Sequence, residues 1–172
     1  MQEIFDVVDE NDLVIDQRPR SDVHRLNLYH RATHVLVFND AEKLFLQKRS
    51  MAKDSSPGLW DSSAAGHLDQ GESYDACARR EFSEELGVSD PPPLRRLFKL
   101  PASPASDYEF AWIYRCEYNG PMQLQAEEID EGRWFTAEQI DDWIAARPEQ
   151  LTSAFRLIWQ RLRSGGSTIP RE

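Results

Sequence analysis

One stretch, GHLDQGESYDACARREFSEELGV from Gly66 to Val88, constrains this chain more than any other. Ser73 suits a helix N-cap, Gly87 suits the position just past a C-terminus, and Pro91-Pro92-Pro93 blocks continuation, so a helix is predicted over Ser73–Leu86. Inside it Glu81, Glu84 and Glu85 stand at i, i+3 and i+4, a spacing that brings three carboxylates into one sector of the helix surface. Like charges so placed repel even when exposed, and a divalent cation offsets that repulsion. Hard oxygen ligands suit Mg2+ or Mn2+. Phe82 and Leu86 flank the sector and give the helix an apolar side to lay on a sheet. Arg80 is four residues before Glu84 and also within reach of Glu72, where a bidentate pair fixes a carboxylate. Gly66 and Gly71 permit a tight loop before the helix, in which a backbone carbonyl comes close to a metal.

Around this segment, strand and helix patterns alternate. Ile4–Val8 and Leu13–Asp16, joined by Asp9-Glu10-Asn11-Asp12, predict a short hairpin, while Arg18–Asn27 reads as polar and irregular. Thr33–Phe38 and Leu44–Gln47 predict a second hairpin across Asn39-Asp40-Ala41-Glu42. Ser50–Gly58 reads as a loop, Leu59–Ala65 as extended, and Leu94–Leu100, Tyr108–Tyr118 and Gly132–Phe135 as strands. Thr136 caps a helix carrying Ile140, Trp143 and Ile144, with Gln139 placed for a capping box. Leu151, Phe155, Ile158, Trp159 and Leu162 form the apolar stripe of a last helix. With no internal repeat and no dividing linker, the expectation is one domain over residues 1–163 and a flexible C-terminal tail over 164–172. Its class is α/β (α+β), a mixed sheet flanked by helices.

Composition enters as exclusions. At 172 residues, 40% hydrophobic and 29% charged, the chain is long enough to bury a real core, and no apolar run approaches the ~20 residues of a membrane span. The start, Met1-Gln2-Glu3-Ile4-Phe5-Asp6, lacks the pattern of a secretory signal, so the expected address is cytoplasmic. Cys77 and Cys116 are too few and too isolated for a disulfide framework or a thiolate metal site, and read as packed thiols. A net charge of −10 argues against nucleic-acid binding but not against a small anionic ligand, because local cations reverse the field inside one pocket.

The 23-residue segment resembles the Nudix box, Gly-x5-Glu-x7-Arg-Glu-U-x-Glu-Glu-x-Gly-U with U a bulky apolar residue. Gly66, Glu72, Arg80, Glu81, Phe82, Glu84, Glu85, Gly87 and Val88 fill every defined position, Phe82 being aromatic where an aliphatic residue is usual. The resemblance implies an α/β/α sandwich and hydrolysis of a nucleoside diphosphate linked to another group. It further implies Glu81, Glu84 and Glu85 as metal ligands, one of them the general base. Glu72 and Arg80 orient the loop and helix, and the Gly66 carbonyl is a backbone ligand.

The flanks of the box resemble a narrower group, isopentenyl-diphosphate isomerase, which has the same fold. The stretches are Val23-His24, Tyr29-His30-Arg31, Gln47-Lys48-Arg49-Ser50, Pro57-Gly58-Leu59-Trp60 and Ala65-Gly66-His67. In that isomerase three histidines and two glutamates hold a divalent metal, and a cysteine just before the Gly-His pair is catalytic. Carried over, this makes His24, His30, His67, Asp107 and Glu109 a possible second metal site, suited to Zn2+, Mn2+ or Fe2+. The departure is Ala65, which stands at the cysteine position and cannot exchange a proton. The box, eroded in such isomerases, is intact here.

On the substrate side, Lys48, Arg49 and Lys53 are candidates for gripping phosphates. Trp60 and Trp112 read as core rather than base-stacking residues, His34 as core or sheet surface, and Glu128 as a further acid within reach of the metals. The leading expectation is metal-dependent hydrolysis of a small organic diphosphate. The alternatives are isoprenoid diphosphate isomerisation, and a non-catalytic nucleotide sensor, against which the retained glutamates speak. Monomer and homodimer stay open.

Overall fold

The computed structural model describes residues 1–165. In chain order the elements are β1 (Ile4–Val8), β2 (Val14–Pro19), α1 (Arg20–Arg25), β3 (His30–Phe38), β4 (Leu44–Arg49), β5 (Trp60–Asp61), β6 (Ala64–His67), α2 (Tyr74–Leu86), β7 (Arg95–Leu100), β8 (Glu109–Glu117), β9 (Ile129–Phe135), α3 (Ala137–Ala146) and α4 (Ser153–Arg163). None of these helices is long and apolar enough to cross a membrane.

Every position from Ala32 to Phe38 is buried, as befits a strand covered on both faces, and β3 is the spine of a seven-stranded mixed sheet. Its pleat sorts the core into two layers. Ala32, Leu36 and Phe38 face Ile140 of α3 and Phe155, Ile158 and Trp159 of α4, while Val35 and Val37 face Ala78, Phe82 and Leu86 of α2. The result is the α/β/α sandwich with a mixed central sheet. Trp60 packs in the α3/α4 layer against Phe135 and Trp143, and Trp112 lies under the Arg96 guanidinium, so both tryptophans serve packing.

The second predicted hairpin is corrected by the structure. β3 and β4 share a single rung, Phe38↔Leu44, and then diverge. β3 pairs instead with β8, in parallel over nine rungs from His30↔Glu109 to Phe38↔Glu117, and β4 pairs with β9 from Leu44↔Phe135 to Arg49↔Ile129. That second ladder lengthens the strand expected at Gly132–Phe135. The segment read as one extended run fills the opening as two short strands, β6 against β3 and β5 against β4. Ser63, fully buried between them, donates its hydroxyl to Phe45 O (2.5 Å) and accepts from Val37 N (2.8 Å), joining the two diverging strands.

Arg18–Asn27 is likewise not irregular: β2 runs to Pro19 and a six-residue α1 follows. Only Val23 of α1 is buried, against Phe5, Val7 and Leu28, so no apolar period marked it. The predicted caps are present: Ser73 Oγ accepts from Ala76 N, Gly87 is left-handed at φ 67°, and Thr136 and Gln139 form a capping box. Ser164 and Gly165 form a turn after α4, and the rest of the expected tail, 166–172, lies outside the described residues.

Candidate functional site

The opening between β3 and β4 is where α2 on one layer and the start of α4 on the other reach common space, a cleft of about 230 Å3. Glu81, Glu84 and Glu85 all line it. Glu85 is buried; Gln47 Nε2 of β4 donates to its Oε2, and Ala65 N of β6 approaches Oε1 at 3.4 Å. Glu81 is nearly buried at 13% side-chain exposure, and Glu84 is exposed at the mouth. Burial pushes the Glu81 carboxyl up to about 7; Arg80 opposes the rise and Glu84 adds to it. Burial, then the Glu81 charge, raises Glu85 well above the carboxylate range.

Arg80 organises this wall. Its Nε and Nη2 clasp Glu72 at 2.8 and 2.9 Å, the bidentate pair expected from the spacing, while Nη1 reaches Glu81 at 2.8 Å and Glu84 at 3.3 Å. Nη2 also donates to His67 O at 3.1 Å. Burial disfavours the Glu72 anion, yet Arg80 and the Asp69 amide outweigh it and hold its carboxyl below the usual range. Gly66 differs from the expected tight-loop role. It is in β6, and a Cβ there would run into the Glu81 carboxylate, so the missing side chain is clearance for that carboxylate. Gly71 is the loop glycine, at φ 74°.

The three predicted histidines do converge. Candidate ligand atoms of His24, His30 and His67 lie within 4.8 Å of one another, under Phe5, which stacks on His30 and His67. His30 Nδ1 donates to Leu28 O at 2.8 Å, because a carbonyl only accepts, which leaves its Nε2 turned toward the cluster. That atom and His24 Nε2 are buried with no hydrogen-bond partner among the described residues. Glu109 Oε1 lies 2.8 Å from His67 Nε2 and 3.5 Å from His30 Nε2. Burial opposes its ionisation, but His67 and His30 prevail and hold its carboxyl far below the usual range. Burial, then His67 and His30, pulls His24 down to about 4. Asp107 is exposed at the cleft rim, left-handed at φ 54°.

Of the predicted phosphate-gripping residues, Arg49 and Lys53 line the cleft and Lys48 does not; the pleat of β4 sets Lys48 between Trp60 and Glu131 instead. Arg49 donates to Ser55 O and stands 3.7 Å from Asp61, while Lys53 pairs with Glu128, which also lines the cleft. Residues not singled out from the sequence complete the lining. Arg20 pairs with Glu3 and Asp54, and Phe5, His34, Asp61 and Thr152 are drawn from four separate elements or caps. Their residue types share no spacing in the sequence; what collects them is the pairing of distant strands. Cys77, by contrast, sits behind β6 against Thr33 Oγ1 at 3.3 Å, is absent from the cleft lining, and has its thiol pushed up by burial.

Comparison with known proteins gives a consistent picture. A family model described as the NUDIX domain matches residues 28–155. An uncharacterised Nudix hydrolase of Yersinia pestis is 36% identical over 146 residues, covering 80% of this chain and 75% of the relative. The isopentenyl-diphosphate Delta-isomerase of Serratia proteamaculans is 33% identical over 165 residues, 94% of this chain and 92% of that enzyme. Among solved structures, DR0079 from Deinococcus radiodurans matches with a TM-score of 0.80 at 27% identity, covering 94% of this chain and 98% of that one.

Proposed function

The chain belongs to the Nudix family, and from that premise we propose that it hydrolyses the diphosphate linkage of a nucleoside diphosphate derivative or another small organic diphosphate, using Mg2+ or Mn2+. The carrying observation is the cleft wall on which buried Glu85 and nearly buried Glu81 stand beside Glu84 with one guanidinium among them. Burial and mutual repulsion make two such carboxylates resist ionising together, and a divalent cation removes both objections. The donor set, all hard oxygen, fits Mg2+ or Mn2+, with the Gly66 carbonyl as a further candidate. Once bound, such a cation neutralises phosphate charge and makes the attacking water a stronger acid.

The protein's own part is positioning. Gln47 and the Ala65 amide orient Glu85, and the Arg80 fork locks Glu72 while holding Glu81 in the clearance left by Gly66. A carboxylate of this wall takes the proton of the attacking water. Arg49, Lys53 and Arg20 stand around the cleft, where phosphate oxygens compete with Asp61, Glu128, Glu3 and Asp54 for their charge. Positioning and charge stabilisation carry most of such a reaction.

The histidines support a second metal beside the cleft, which His67, Glu109 and Asp107 line and His24 and His30 back. Two buried imidazole nitrogens without hydrogen-bond partners among the described residues, joined by His67 and Glu109 with Asp107 at the rim, fit Zn2+, Mn2+ or Fe2+. The Serratia isomerase covers nearly the same length, yet isomerisation lacks its acid here: Ala65 has no exchangeable proton and Cys77 lies behind the sheet strand.

Purified protein with Mg2+ or Mn2+ releases phosphate-containing products from some member of a diphosphate panel. Glu84→Gln and Glu85→Gln each abolish that turnover while leaving the protein folded. A double-Gln variant as active as the parent overturns the metal assignment, and a parent inert on the whole panel that still binds nucleotides favours a sensor.

A further inference from the structure

Besides the glutamate wall, the cleft carries a polar group with no role in the reading above. His34 is 4% exposed and lines the cleft from β3, on the same face as Ala65, its cross-strand partner in β6. Its Nδ1 lies 2.8 Å from Ser62 Oγ. Ser62 is fully buried, and its hydroxyl has no other partner among the described residues. A buried hydroxyl proton needs an acceptor, so Ser62 donates to Nδ1 and the imidazole proton is on Nε2. With Nδ1 committed, Nε2–H is the donor left for the cleft.

Two further donors stand beside it. Asp61 lies 3.8 Å from His34 Nδ1, accepts from the Thr152 hydroxyl at 3.1 Å, and is 3.7 Å from Arg49 Nη1. Thr152 is the N-cap of α4, and both it and Ala154 line the cleft. The amides of Ser153 and Ala154 belong to the first helical turn, which has no intrahelical acceptor for them, and the dipole of this eleven-residue helix favours an anion there. A buried imidazole N–H, a guanidinium and a helix N-terminus thus line the cleft that the glutamates share, with the Asp61 carboxylate among them. Asp61, already engaged by Ser62 N, Thr152 and Arg49, orients these donors.

We infer that His34, with Arg49 and the first turn of α4, forms an anion subsite in which Nε2–H donates to a phosphoryl oxygen of the substrate. The inference rests on the diphosphate reading and adds to it a set of donors, besides the glutamate-bound cation, that hold the phosphate. His34 on this account is a substrate-binding residue, and Ser62 a positioning residue that fixes its tautomer.

The test uses methylenediphosphonate with Mg2+ as a probe that cannot be cleaved. Long-range 1H–15N spectra of the full chain, with His34 assigned from the signal lost in His34→Gln, show Nε2 protonated, and the probe shifts that resonance. Calorimetry shows His34→Leu binding the probe about 10-fold or more weakly, the scale of one charge-assisted hydrogen bond, with Gln restoring most of the affinity. A His34 resonance of the Nδ1–H tautomer, or one unmoved by a probe that binds, overturns the subsite even if the Leu variant fails to fold. A parent that binds no probe at all brings down the diphosphate reading, and the subsite with it.

Discussion

Replacing Gly66 by alanine isolates one piece of the geometry. The three atoms nearest the added Cβ would be Cγ, Cδ and Oε1 of Glu81, at 2.1–2.7 Å. Backbone φ at Gly66 is not in the left-handed region, so alanine's backbone is not strained there and the clash falls first on Glu81. To make room, that carboxylate must leave the Arg80 Nη1 atom that it accepts from at 2.8 Å, which costs about 1.5–3 kcal/mol for a hydrogen bond between charged groups. Arg80 keeps its clasp on Glu72, so the fold survives with a loss in that range. Activity falls much further, because displacing a reacting group by about 1 Å costs on the order of 100-fold. Denaturant unfolding measures the first number, and Mn2+ titration by calorimetry with turnover on the best diphosphate measures the second. Gly71→Ala is the control: a Cβ there meets nothing within 4 Å, but φ is 74°, so it costs about 1–2 kcal/mol of backbone strain and leaves Mn2+ affinity unchanged. If Gly66→Ala binds Mn2+ and turns over like the parent, the clearance argument is refuted.

Ser63→Ala removes the hydroxyl between the diverging strands, leaving Val37 N without its partner and Phe45 O without the Ser63 donor, and unfolding free energy drops by about 2–4 kcal/mol by denaturant titration. Asp12 gives a pH signature. Burial opposes its ionisation, but Arg31, Lys99 and Tyr74 prevail and lower its pKa below the ordinary 3.8. The unfolded chain then binds the proton more tightly, so Asp12 contributes stability above pH 3.8 that is lost as pH falls through the folded pKa. Asp12→Asn flattens the rise of stability with pH over that acidic window in unfolding titrations; an unchanged slope refutes it.

What was legible in the sequence was local. The helix of the box, its Ser73 cap and Gly87 stop, and the Glu72–Arg80 fork all follow from spacings under ten residues, and each is present. The histidine cluster was visible only through resemblance, since His24, His30 and His67 have no common period. The divergence of β3 from β4 was invisible, because Thr33–Phe38 and Leu44–Gln47 flank a good turn and their true partners are far away in the chain. His34 was passed over for the same reason. A histidine on a buried strand reads as core until the N-terminus of α4 and the hydroxyl of Ser62 are set beside it. Lys48 and Arg49 look equivalent as a basic pair, and only the pleat of β4 separates them.

The parallel ladder between β3 and β8 also says something about how the protein is made. Its first rung, His30↔Glu109, joins a member of the histidine cluster to the carboxylate beside it, and between them in the chain lie His67, Gly66 and every glutamate of the box. Closing that ladder therefore gathers a loop of nearly eighty residues, an entropic cost that must be met before the rungs return anything. A chain still emerging from the ribosome can hold the complete glutamate helix and yet have no cleft for it to face. The glutamates are made early, and the cleft they line exists only when residue 109 finds residue 30.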